Sequence, residues 1–396
     1  MRPNRIRLSL LLVITILGVY ACSSPTVTYT SMPLSTSTPA VPVTPTQEPI
    51  LYRGDAGRTG QFLASFIDSP LEIRWQRSLY PSVHGAPVLV GRILFVPTVA
   101  ARFLALDADN GEEKWAFTAS GKLFSSPAIA DAIVYIGNEN GTLYALDAET
   151  GNEFWSLKLD AGIWSAPLVI GDLIYVGSQA GTVYAIDSQT HQIRWQVETR
   201  GWVVSPPAWE NGIVFVSGGK NLYALHDQTG EIKWQNSMGE FWGPHTVEDG
   251  VVYAGNDDNS FYALDAETGE TRWSFDSGDD GWSAPALTNG AVFFGNRLNR
   301  LYALNTQTGE LRWTFETEDW VTTDPIVANG VVYLAVGNHD NREGPRPMYA
   351  IDSETGKELW RFQADGRLLT PPAIGNDTLY FISFTGTAYA LTTAIE

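Results

Sequence analysis

Eight tryptophans stand in one register along the chain: Trp75, Trp115, Trp155, Trp195, Trp234, Trp273, Trp313 and Trp360. The steps between them are 40, 40, 40, 39, 39, 40 and 47 residues. Self-similarity at this period constrains the fold more than any local pattern does. A unit of that length cannot bury both of its faces alone and must stack on copies of itself. A length of 396 residues would otherwise suggest two or three domains. The repeat replaces that expectation with one array over residues 51–396.

Each period reads as four short strands. Pro127-Ala128-Ile129 opens strand a, and Ile133-Val134-Tyr135-Ile136 is strand b. Leu143-Tyr144-Ala145-Leu146-Asp147 is strand c, and Glu153-Phe154-Trp155-Ser156 is strand d. Between c and d lies a turn such as Glu149-Thr150-Gly151, whose Gly supplies positive φ while Asp and Thr side chains bond the turn backbone. Four antiparallel strands per 40 residues predict the blade of an all-β propeller, with the tryptophan of strand d filling the gap between blades. There are eight Trp-bearing d strands and eight c strands, the last being Ala388-Tyr389-Ala390-Leu391, but only seven c–d turns. The strand Ile73-Arg74-Trp75-Gln76 is therefore expected to complete the last blade beside residues 387–391, closing a ring of eight; seven blades is the alternative count.

The N-terminus reads as an export signal. Arg2, Arg5 and Arg7 precede an apolar run from Leu8 to Val19, shorter than the roughly 20 residues of a spanning helix. The run ends at Val19-Tyr20-Ala21-Cys22, which resembles the lipobox of bacterial lipoproteins. That resemblance implies cleavage after residue 21 and a lipid on Cys22, the only cysteine of the chain. A single Cys also excludes an internal disulfide framework. Residues 22–50 are 18 of 29 Ser, Thr or Pro and have no apolar periodicity, so they are expected to be a disordered tether. With six prolines it would reach up to roughly 90 Å in polyproline-II form. The formal net charge is −19, and loss of three Arg with the signal takes it to −22 (−19 − 3). That balance disfavours nucleic acid, whose phosphates call for Lys and Arg.

The repeat resembles the pyrroloquinoline-quinone (PQQ) repeat, the Trp-docked blade of the quinoprotein alcohol dehydrogenases, over essentially all of residues 73–396. The segment Tyr52-Arg53-Gly54-Asp55-Ala56-Gly57-Arg58-Thr59-Gly60 resembles the lead-in of such proteins, and its Arg-Gly-Asp is read as chance. The resemblance implies one of two branches. The enzymes carry PQQ with calcium and commonly a vicinal disulfide, which one Cys cannot form, and their catalytic Asp and calcium ligands cannot be placed on this chain. The other branch is non-catalytic and includes the lipidated propeller of the outer-membrane β-barrel assembly machinery. The resemblance to that branch implies an exported, lipid-anchored scaffold facing the periplasm or cell exterior, with no cofactor and a protein or glycan partner. The chain itself is expected to be a monomer.

Strand direction puts the d–a and b–c loops on one face, here called upper, and the near-uniform a–b and c–d turns on the other. Variable loops on a rigid scaffold usually carry function. The d–a loops hold Phe124, Trp164, Trp202, Phe241, Trp242, Trp282 and Trp320 just before strand a, near the channel mouth. They read either as a plug of the channel or as an aromatic platform for a ligand or partner. His84, His245 and His339 map to the same face. With Asp324 they lack a metal-ligand spacing, so no metal is expected. The loop 338–346, with Arg342 and Arg346, accounts for the 47-residue step and is either a binding loop or a surface insertion. No catalytic residue is identifiable.

Overall fold

The computed structural model describes residues 49–62, 64, 67–69, 71–79, 83–237, 239, 243–279, 283–337 and 344–394. The signal and Cys22 lie outside them, as does the tether except its last two residues. In the second blade the strands are Ala128–Ala130, Ile133–Gly137, Thr142–Asp147 and Glu153–Lys158, paired antiparallel in the order a, b, c, d. Strands b and c are buried on both faces because each blade is sandwiched between two others, whereas strand d alternates with solvent. The a–b hairpins turn on two residues of positive φ, such as Asn289 at 50° and Gly290 at 68°, the geometry that matches the twist of paired strands.

Eight such sheets form the ring. The inner a strands touch between the first and eighth, second and third, fourth and fifth, and sixth and seventh blades. The eighth blade consists of Ala373–Gly375, Thr378–Ile382 and Thr387–Thr393 from the C-terminal end, completed by Leu71–Ser78 from near the N-terminus. Trp75 sits opposite Ala390 in that pairing, the closure expected from the missing eighth turn.

The tryptophan joints are literal. Six of the eight indole N–H groups reach a backbone carbonyl at the c–d turn of the next blade, among them Trp75 to Ala108 at 2.8 Å, Trp234 to Ala266 at 3.0 Å and Trp273 to Thr306 at 2.8 Å. The turn glycine lies flat against the ring, and a Cβ added at Gly269 would stand 2.7 Å from Trp234. Only glycine combines that approach with the positive φ of 74°. One joint departs: His191, at a φ of 61°, stacks on Trp155 with ring centroids 4.6 Å apart. At the closing joint Trp360 bonds the Ile67 carbonyl at 2.7 Å, so the lead-in substitutes for the absent turn.

The lead-in lines the channel. Ile50, placed by sequence at the end of the tether, already pairs with Ile129. From there the backbone passes along the inner strands. Ala56 accepts from Trp209, Gly57 from Val247, Thr59 from Leu287 and Gly60 from Val327. Gln61–Phe62 then adds a parallel strand to the seventh blade. Inner strands expose carbonyls toward the channel that need donors. Arg58, fully buried, donates to Pro207 at 3.0 Å, Tyr52 at 2.7 Å and Pro167 at 2.9 Å. Arg53 donates to the Pro285 carbonyl at 2.6 Å. The Arg-Gly-Asp is thus a structural element whose Arg is buried.

Candidate functional site at the channel mouth

The upper loops are stitched to one another by backbone bonds. Glu139 of a b–c loop donates to Lys122 of the preceding d–a loop at 2.9 Å, and Phe384 donates to Arg367 at 2.7 Å. This places both loop types on one face, as strand direction requires.

On that face four rings form a row across three joints. Phe384 meets His84 edge-on at 5.7 Å, His84 meets Phe124 at 5.4 Å, and Phe124 meets Trp164 at 4.8 Å. His84 and Trp164 are exposed, while Phe124 and Phe384 are half-buried. Cations flank the row: Arg367 lies 4.3 Å over Phe384 and Lys122 lies 5.9 Å over Phe124. Such placements favour the negative face of the ring. Phe384 was not anticipated. Its signal was available, since it occupies a b–c loop position where other blades carry Glu139 or Gln179.

Other expected residues are not part of the row. Trp202 is 56% exposed and stands apart over the fourth blade. Trp320 is half-buried beneath Arg297, 5.7 Å from its ring. Arg346 is tied by its Nε to the buried Asp319. Phe241, Trp242, Trp282, His339 and Arg342 lie outside the described residues.

His245 has to be moved from the upper face into the core. It is fully buried, with Nε2 donating to the Phe215 carbonyl at 2.8 Å and Nδ1 3.1 Å from the Ser217 hydroxyl. The first contact fixes the tautomer, so Ser217 donates to Nδ1 and both nitrogens are used. Burial lowers its pKa to about 4, only partly offset by the bond to Phe215. It cannot face a partner or ligate a metal without breaking both bonds.

Asp324 is also buried, accepting from the Tyr52 hydroxyl and from the Ala284 N–H at 2.6 Å. Burial raises its pKa, opposed by the positive charge of Arg53. Its bonds fasten the lead-in to the sixth and seventh blades rather than opening toward a ligand. Among the described residues no group of three His, Cys, Asp or Glu is placed to hold a metal ion.

A planar quinone would need a site in or above the channel. Beside the lead-in the channel retains a cavity of 130 Å³, lined by Tyr52, Arg53, Pro87, Pro371 and Pro372 among others. Cofactor-sized ligands generally occupy 300–1,000 Å³. These residues do not fit a quinone there.

Comparison with known proteins fits this architecture. Solved structures of similar shape include BamB from Moraxella catarrhalis, at 21% identity and a TM-score of 0.68, covering 83% of this chain and 99% of that one. A europium-containing methanol dehydrogenase matches at 14% identity and a TM-score of 0.74, over 87% and 97% of the two chains. The quinohemoprotein alcohol dehydrogenase of Comamonas testosteroni matches at 14% and 0.72, over 87% and 81%. At these identities the likeness is one of fold. No curated protein sequence matches the chain. The family model for the outer membrane protein assembly factor BamB, in contrast, matches residues 72–201, 139–240, 201–281, 279–343 and 341–395 in overlapping stretches, hence nearly every blade. With the PQQ-like repeat carried through the whole ring, the chain belongs to that family.

Proposed function

We propose that this protein is a lipid-anchored, extracytoplasmic scaffold without enzymatic activity, which docks a protein partner on its channel mouth in an envelope assembly role. The observation that carries the reading is the row Phe384, His84, Phe124 and Trp164 with Arg367 and Lys122 beside it. Exposed aromatics next to cations on a rigid ring have the composition of interface anchors. The family description supports an assembly role, and the lipobox-like Cys22 with its polar tether supports anchoring away from the membrane surface.

Photo-crosslinkers at His84 and Trp164 in the full-length chain, against one at the lower-turn residue Glu149, test the docking face. Adducts to one and the same envelope protein from the two upper positions, and none from Glu149, are expected. Adducts from Glu149 alone would move the partner to the other face and overturn the assignment. Incorporation of a clickable palmitate analogue into the native chain, lost in Cys22→Ser, tests the anchor.

A further inference from the structure

The fourth blade departs from the repeat at its upper edge. Its b–c connection is Gly218-Gly219-Lys220-Asn221, four residues where the second blade has the five of Asn138-Glu139-Asn140-Gly141-Thr142. The shorter connection closes as a two-residue hairpin, with Gly218 opposite Asn221. In the second and third blades a side chain of this loop covers the glycine of the preceding d–a loop. A Cβ on Gly121 would strike Asn140 at 2.6 Å, and one on Gly162, a position later in its loop, would strike Gln179 at 2.4 Å. At the fourth blade Gly201, the counterpart of Gly121, meets only backbone, with the Cα of Gly219 at 2.6 Å and its N at 2.8 Å. With no side chain there, a cavity of 620 Å³ remains, within the range of ligand sites.

The lining has a defined chemistry. Trp202 supplies an exposed aromatic plate, and Arg200 a guanidinium that makes no ion pair among the described residues. Ser205, 4% exposed, has a hydroxyl with no hydrogen-bond partner among the described residues. In the third and sixth blades the corresponding serine is satisfied, Ser165 accepting from Gly177 at 2.8 Å and Ser283 from Gly295 at 2.7 Å. A buried hydroxyl left without a partner is destabilising and calls for an explanation.

We infer that this cavity is a site for a pyranose sugar bearing a single carboxylate, a uronic acid. A pyranose offers a C–H face to stack on Trp202 and a rim of hydroxyls, one of which partners Ser205. Its carboxylate matches the fork of Arg200. The overall negative charge is screened over about 8 Å at physiological ionic strength, so the local cation decides. The site is independent of the aromatic row over the other blades.

The test is calorimetric titration of the full chain with a glucuronate-terminated disaccharide, its methyl ester, and a short peptide with a free C-terminal carboxylate. The acid should bind at least tenfold more tightly than the ester. Arg200→Gln should level the two, Trp202→Ala should weaken both, and Trp164→Ala should change neither. Ser205→Ala should weaken binding severalfold without lowering the melting temperature, which a merely structural serine would not do. Equal affinity for acid and ester, tighter binding of the peptide, or no binding of the acid would each overturn the assignment. Because Trp164 is outside this site, failure here leaves the crosslinking result at the channel mouth to be judged separately.

Discussion

At the lower end of the third blade, Asp187 accepts from the backbone of Gln189 at 3.1 Å and Thr190 at 2.7 Å and pairs with Arg194. At the upper end of the fourth blade, one residue fewer in the loop leaves a cavity with an unsatisfied hydroxyl. Both segments come from the same repeat. Most lower turns are held twice, by their own side chains and by the indole N–H of the preceding blade, while at the third blade His191 stacks on Trp155 instead. Changes there break a joint, so their sequences stay uniform. The upper loops are held by backbone bonds to neighbouring loops and by side-chain bonds that differ from blade to blade, such as Asn140 to the Ser120 carbonyl at 2.8 Å in one and Thr182 to Asp160 at 2.7 Å in the next. Variation therefore accumulates where it does not loosen the ring.

The sharpest break of this contrast is in the channel. Arg58→Ala would leave three buried carbonyls without donors, at a cost of about 5 kcal/mol in urea unfolding; a loss below 1 kcal/mol would show that the lead-in is dispensable. Next come the joints. Trp313→Ala removes a bulky side chain from between two blades together with its 3.1 Å bond to the Ser353 carbonyl, and should cost about 4 kcal/mol. Phe at this position should recover most of the packing but not the bond.

The pH dependence ranks third. His245 is neutral when folded, with a pKa of about 4 against 6.5 unfolded. The unfolded chain then binds the extra proton. Stability is complete above pH 6.5 and falls as the pH drops from there to about 4, by about 3 kcal/mol at most. Denaturation midpoints in that window should flatten in His245→Gln, and an unchanged slope would assign the loss to other groups. Asp187→Ala, at a lower turn, should cost about 2 kcal/mol. Smallest is Trp164→Ala on the upper face, within about 0.5 kcal/mol of wild type. If the Trp164 variant proved as damaging as the Trp313 one, the division between the two faces would collapse.

Much of this was legible in residues 51–396. The tryptophan register, the Asp-x-x-Thr-Gly turns and the missing eighth turn specified the blades and their closure, because each signal is local and repeated. The site was legible only in part. His84, Phe124 and Trp164 were singled out by counting strand directions, and ring contacts join the three. His245 was singled out in the same way, yet its ring turns inward to Phe215 and Ser217, since a loop position does not reveal which way a side chain points. Phe384 was passed over because it stands in a loop that is otherwise polar.

The sequence by itself determined the blade repeat, the tryptophan at each joint and the composition of the N-terminal segment. Those follow from periodicity and from short-range turn chemistry, which a linear pattern records. Tertiary structure alone decided that residues 50–62 line the channel, that Arg53 and Arg58 are buried among proline carbonyls, and that a one-residue deletion opens a cavity. Arg58 and its acceptor Pro207 lie 149 positions apart, and the acceptor is a backbone carbonyl that every residue type carries. No residue pattern marks such a partner; only closing the ring brings the two together.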